Sequence, residues 1–343
     1  MGPSEFDQVA IVALARDEAP TIIASVEIED NLAEVYGRLK LPRGLLASLT
    51  GILERRLYPL SYPPSLVAAR AAKTLFVRYK FDRERVDLLY STSVGRDHLE
   101  PSTASIIQHR LDLGGHIKSL DIGSACLGFI DGLELGALAI ERGRARHALI
   151  TAGENSRLIL ENTLKTLRET TIDRTTFFRN FATLTLGSGG AAMILGRRMD
   201  YPEAPYLVRS VSYSNARANG LCRGDISGME TDSTALLTAG VTLAKETFKL
   251  GTAAFGWSQN YFSRLICHQV SAANTHKLCQ NLGLDENIFI KTFPQFGNMG
   301  PVAIPFTLDL AREQNLLPSG GRLCLMGIGS GLCCTMMEIA WTA

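Results

Sequence analysis

One ten-residue pattern occurs twice along this chain of 343 residues. Leu186-Gly-Ser-Gly-Gly-Ala-Ala-Met-Ile-Leu195 returns as Ile328-Gly-Ser-Gly-Leu-Cys-Cys-Thr-Met-Met337. Each copy reads as a glycine turn running into an apolar strand, and each follows a strand–turn–helix unit, one opening at Cys126 and the other at Asn298. The repeat suggests two related halves, a chance likeness of two short glycine turns being the alternative. The halves are expected at 1–198 and 199–343, joining near Arg197–Pro205.

Within each half, short apolar runs alternate with helix-like segments. Ala10–Ala15, Val86–Leu89 and Ala148–Thr151 have the length and composition of buried strands. Leu127–Arg142 reads as a helix stopped by Gly143, and Pro305–Gln314 reads the same way. This alternation predicts an α/β fold of layered sheets and helices. The segment Arg157–Arg179 is polar and helix-prone, and is expected as a helical insertion over the surface, near 157–180.

Composition excludes several classes of function. Net charge is +1, with no long run of one sign, so there is no electrostatic footprint for nucleic acid. The longest nearly apolar stretch, between Arg322 and Glu338, falls short of a membrane span. The first residues lack the basic and apolar regions of a secretion signal, and Phe6 argues against myristoylation. Seven cysteines without CxxC spacing point away from a disulfide framework or zinc site, and towards reduced thiols in a cytoplasm. The glycine turns lack the lysine and spacing of phosphate-binding loops, and no metal cluster or dinucleotide fingerprint occurs. His109, His116, His147 and His276 are expected on surfaces or helix faces.

Three local patterns carry chemistry. In Asp121-Ile-Gly-Ser-Ala-Cys-Leu-Gly-Phe-Ile130, Cys126 falls where a strand gives way to a helix. Unpaired N–H groups and the helix dipole favour a thiolate there. A buried structural cysteine at a helix start would look the same locally. In Ile266-Cys-His-Gln-Val-Ser271, His268 follows an apolar run and would reach a cleft at a strand end; alone, it reads equally as a core histidine. In Phe296-Gly-Asn-Met-Gly-Pro-Val-Ala-Ile-Pro305, Asn298 lies at a glycine-rich turn, where a left-handed turn asparagine is the plain alternative. Together, a nucleophile and two neutral hydrogen-bond donors suit acyl transfer followed by enolate stabilisation.

These motifs resemble the thiolase superfamily in its ketoacyl synthase III branch, through SACLGF around Cys126, CHQVSAANTH around His268, GNMGPVAIP around Asn298, the terminal GIGSGL, and Thr50-Gly-Ile-Leu-Glu-Arg-Arg56. The segment Ser91-Thr-Ser-Val-Gly-Arg-Asp-His-Leu-Glu-Pro-Ser-Thr-Ala-Ser105 is similar to the subgroup that condenses two acyl-CoA molecules in olefin synthesis. The resemblance implies a thiolase fold, a five-layered αβαβα arrangement, in a homodimer with its active sites near the interface. It implies that Cys126 becomes acylated, with the oxyanion held by the backbone N–H groups of Cys126 and Ser330. His268 and Asn298 would then bind the carbonyl of a second thioester. Glu100 is implied as the base, reaching the neighbouring subunit's site; capping the helix after Pro101 is its alternative role. Arg55 and Arg56 are weaker candidates for coenzyme A contact. Coenzyme A thioesters are the implied substrates, with no bound cofactor and no metal. A decarboxylative synthase using malonyl thioesters, or one subunit of a heterodimeric β-lactone-pathway enzyme, would use the same Cys–His–Asn set.

Overall fold

The computed structural model describes residues 2–169, 171–225 and 228–342. Its centre is a mixed sheet built from β1 (Val9–Glu18), β2 (Leu88–Ser91), β3 (Lys118–Asp121), β4 (His147–Glu154), β5 (Gly189–Arg197), β6 (Tyr206–Ser214), β7 (Arg264–Cys267), β8 (Arg322–Gly329) and β9 (Cys333–Ala340). The short strand Ser4–Glu5 joins alongside β6. The order across the sheet is β7-β8-β9-β6-β1-β5-β4-β2-β3.

That order contains the same arrangement twice. In the first half, β3, β2 and β4 run parallel, and β5 and β1 follow antiparallel. In the second half, β7 and β8 are parallel, and β9 and β6 follow antiparallel. An isolated parallel bridge, Leu265 to Phe289, stands where β3 has its counterpart. The halves meet at β1 and β6, where Ala10 pairs with Tyr206 and the Ile11 amide donates to the Pro205 carbonyl at 2.7 Å.

Strand alternation divides the interior into layers. On β1, Val9, Ile11 and Leu14 join the central core, and Ala13 and Ala15 join an outer one. On β8 and β9, Leu323, Leu325, Met337 and Ile339 face the same centre, while Cys324, Met326, Cys334 and Met336 face the opposite outer side. Both faces of these strands are buried, which is why they read as unbroken apolar runs. The central core is filled by α3 (Gly128–Glu141) and α8 (Ala303–Glu313). The outer face of the first half is covered by α1 (Pro64–Tyr79) and α2 (Thr103–Arg110), whose small residues Ala68, Ala69, Ala71 and Ala72 allow close approach. The second half is covered by α6 (Ser233–Phe255) and α7 (Ala272–Leu282). The layers therefore run αβαβα. Among the described residues, no helix is long and apolar enough to cross a membrane.

Two expectations need correction. The 157–180 segment forms α4 (Arg157–Leu167) and α5 (Arg174–Asn180), but it is amphipathic rather than a polar cover. Leu160, Leu167 and Phe177 are buried against Ile28, Leu32, Val35 and Tyr36. His147 is buried within β4, its Nδ1 3.0 Å from the Arg85 carbonyl and its Nε2 2.9 Å from the Tyr201 hydroxyl.

Candidate active site

Cys126 lies in a single 3-10 turn, Ala125–Leu127, between β3 and α3. Ala125 takes φ +47°, and α3 begins at Gly128 because that residue passes the Thr92 carbonyl, where an added Cβ would lie only 2.6 Å away. Asn298 follows a short helix, Phe293–Phe296, and Gly297 at φ +66°. Its turn is thus helix to helix, not the expected strand to helix. His268 follows directly on β7, its amide donating to the Met326 carbonyl at 2.8 Å.

The repeated glycine turns explain how these segments are held. The first turn, at Gly187, grips the Asn298 segment. The Gly187 amide donates to the Asn298 carbonyl, and the Asn298 amide donates to the Thr185 carbonyl, each at 2.9 Å. A Cβ on Gly187 would lie 1.9 Å from the Phe296 carbonyl oxygen. The second turn grips the cysteine segment, since a Cβ on Gly329 would lie 2.8 Å from the Ser124 carbonyl oxygen. Each half therefore shapes the reactive loop of the other. The Cys126 turn also packs on Gly300–Val302, directly after Asn298.

His268 Nε2 is 3.0 Å from Asn298 Oδ1, and the Gly300 amide donates to the same oxygen at 3.0 Å. The Gly300 N–H fixes which way the asparagine amide faces, because only an oxygen can accept it. His268 must then carry its proton on Nε2. Among the described residues, nothing engages the Asn298 amide nitrogen, which leaves its N–H groups available to an incoming oxygen. Burial depresses the imidazole to about 4, so it is neutral at physiological pH. Burial pushes the Cys126 thiol up to about 12, and the nearby Glu154 and Cys222 add to the effect. The resting group is thus a thiol, against the thiolate expected from the helix start. Three or four N–H dipoles do not offset the loss of solvation, and proton loss must accompany attack.

Glu154 was not anticipated from the sequence. It ends β4, is buried, and is raised to about 7 by burial. Its sequence signal is a carboxylate terminating an apolar strand that continues past Thr151.

The remaining candidates lie elsewhere. Glu100 is exposed on the segment between β2 and α2, well outside the chain's own buried centre. It does not cap α2. Ser102 Oγ accepts the Ser105 amide at 3.2 Å, and Asp121 accepts the amides of Thr103 and Ala104 at 2.9 and 2.7 Å. Ser330 is exposed in the turn between β8 and β9, next to the Gly329 contact. Arg55 is corrected as a coenzyme A contact: it is fully buried and donates to the carbonyls of Ile23 and Leu184. Arg56 is half-buried, pairs with Glu18 at 3.0 Å and lies over the Phe296 ring, behind the Asn298 turn.

A cysteine at a strand-to-helix turn, a histidine bonded to an asparagine and a glycine-shaped turn from each half fit a thiolase-fold condensing enzyme. The chain belongs to the 3-oxoacyl-[acyl-carrier-protein] synthase III family, whose description matches residues 120–212 and, for its C-terminal part, 252–341. It is 37% identical to the acyl-CoA:acyl-CoA alkyltransferase of Xanthomonas campestris, over 98% of this chain and 99% of that one. The Shewanella oneidensis protein of the same name is 33% identical over 98% and 100%. A β-ketoacyl-[acyl-carrier-protein] synthase III of Staphylococcus epidermidis is 24% identical over 85% and 88%. The cerulenin-bound crystal structure of Xanthomonas campestris OleA superposes with a TM-score of 0.96, at 36% identity and 98% coverage of both chains.

Proposed function

We propose that the chain condenses two fatty acyl-CoA molecules without decarboxylation, giving a 2-alkyl-3-keto acid. The observation that carries this reading is the full-length likeness to acyl-CoA:acyl-CoA alkyltransferases, greater in identity and coverage than that to the synthase III relative. Solved variants of the Xanthomonas protein change a glutamate, a cysteine and a histidine. Their intervals along that chain equal those separating Glu100, Cys126 and His268 here.

In the reaction, Cys126 sulfur attacks the first thioester carbonyl, the carbon–sulfur bond to coenzyme A breaks, and the thiol proton leaves with it. Backbone N–H groups of Cys126 and Ser330 hold the oxyanion. A second acyl-CoA places its carbonyl oxygen against the Asn298 amide N–H and against His268 Nε2–H, which exchanges Asn298 Oδ1 for the substrate oxygen. Glu100 removes its α-proton. The enolate carbon attacks the acyl-cysteine carbonyl, the new carbon–carbon bond forms, the Cys126 thioester breaks, and the proton held by Glu100 returns to the departing sulfur. Water then cleaves the remaining coenzyme A thioester. A carboxylate base is needed because a plain acyl-CoA, unlike a malonyl thioester, has no carboxyl group to lose.

Glu100 acts across a homodimer. Its segment projects Val94 and Leu99 into solvent, 55% and 91% exposed. The neighbouring β3 is an unpaired sheet edge with Leu120 43% exposed. Such an edge is a natural surface for a second copy. The halves divide at 198/199, and seven free cysteines suit a reducing cytoplasm.

The test is mass spectrometry of protein mixed with myristoyl-CoA. Wild type and Glu100→Ala should gain an acyl group, Cys126→Ser should gain none, and only wild type should form the β-keto product or its ketone. Carbon dioxide release from a malonyl thioester, with no product from acyl-CoA alone, would replace this reading with decarboxylative synthesis.

A further inference from the structure

Glu154 stands between two parts of the site. A carboxylate buried at a strand end needs partners, and among the described residues no lysine or arginine pairs with it. Its oxygens accept the backbone N–H groups of Val94 at 2.5 Å and Gly95 at 3.2 Å. Those residues are the root of the exposed segment that ends at Glu100. The next anchor along that segment is Asp97, which accepts the Ser65 amide at 2.9 Å. On its other side, the Glu154 side chain lies 4.0 Å from where a Gly300 Cβ would stand, and Gly300 orients Asn298. Its charge also couples to the Cys126 thiol.

We propose that Glu154 is a positioning residue for the condensation step: by accepting the Val94 and Gly95 amides it sets the root of the segment that carries Glu100. The proposal rests on the reading of Glu100 above. Ionised, the carboxylate accepts both amides. Glutamine removes the charge and turns an N–H group toward a backbone donor. Aspartate keeps the charge but is one methylene too short to reach both amides.

The experiment uses the full chain. Cys126 acylation by myristoyl-CoA is followed by protein mass, and condensation by the β-keto product or its ketone, in wild type, Glu154→Gln and Glu154→Asp. In both variants acylation should proceed at about the wild-type rate while condensation falls about tenfold, as for a misplaced catalytic group. Acylation and condensation falling in equal proportion, or neither falling, would overturn the proposal. If Glu154→Gln does not fold, the proportion in Glu154→Asp decides. A wild type that is acylated but forms no condensation product refutes the function reading and the proposal with it, whereas a wild type that condenses no faster than the variants refutes the proposal alone.

Discussion

The Gly187→Ala variant separates the fold's internal logic from ordinary glycine chemistry. The added methyl carbon would sit 1.9 Å from the Phe296 carbonyl oxygen and 3.1 Å from its carbon. An unstrained carbon–oxygen contact is roughly 3.3 Å, so the backbone must move by more than about 1 Å. Neither partner is the free end of a flexible side chain. Overpacking against backbone costs about 3 kcal/mol or more. The movement falls on Phe296–Asn298, whose amide and carbonyl bond Thr185 and Gly187 at 2.9 Å. A shift of order 1 Å in the Asn298 amide should lower condensation about 100-fold. The control is Gly143→Ala, where φ is +65° and nothing lies within 4 Å, so only the left-handed backbone is penalised, at about 1 kcal/mol. Guanidinium unfolding and a coenzyme A release assay read both quantities. Should Gly187→Ala be no less stable than Gly143→Ala and equally active, the argument that one half's turn shapes the other's site is wrong.

Two further outcomes follow from the same geometry. Glu154 is raised from 4.5 to about 7 in the folded chain, so its contribution to stability is fully present below about pH 4.5 and is lost as pH rises through 7. Relative to wild type, Glu154→Gln should therefore gain about 3 kcal/mol between pH 5 and pH 9; parallel stability–pH curves would show that burial does not perturb this group. Leu120→Lys, on the exposed edge β3, should give a monomer by sedimentation that acylates Cys126 but does not condense, whereas a monomer of full activity would place the base within one chain.

Much of this arrangement was legible because it depends on local chemistry. Ala13 and Ala15 alternate with Leu14 in a strand buried on both faces, which is why its short apolar run read as a buried strand. Cys126, His268 and Asn298 stood out because sharp turns between elements admit few residue types. Other features depend on neighbours distant in sequence. Arg55 reads like Arg56 in the chain, but one is sealed under Ile23 and Leu184 and the other reaches Glu18. The raised pKa of the Cys126 thiol could not be read from its helix start, because burial outweighs the turn's dipoles and the nearby carboxylate comes from the end of β4. His147 was misplaced for the same reason, its partners Arg85 and Tyr201 lying far along the chain in opposite directions.

The repeat itself carries a consequence for how such a fold can change. Gly187 and Gly329 are equivalent in sequence, yet each packs against a loop of the opposite half. The first shapes the Asn298 turn and the second the Cys126 turn, while α3 and α8 share one core between the sheets. An isolated half would hold its reactive loop against no turn at all and would expose the apolar face of its central helix. Duplication thus supplies more than a second copy of a stable unit. It makes the geometry of the Cys126 loop conditional on the second half and that of the Asn298 loop conditional on the first, so a substitution in either glycine turn is felt first in the opposite half.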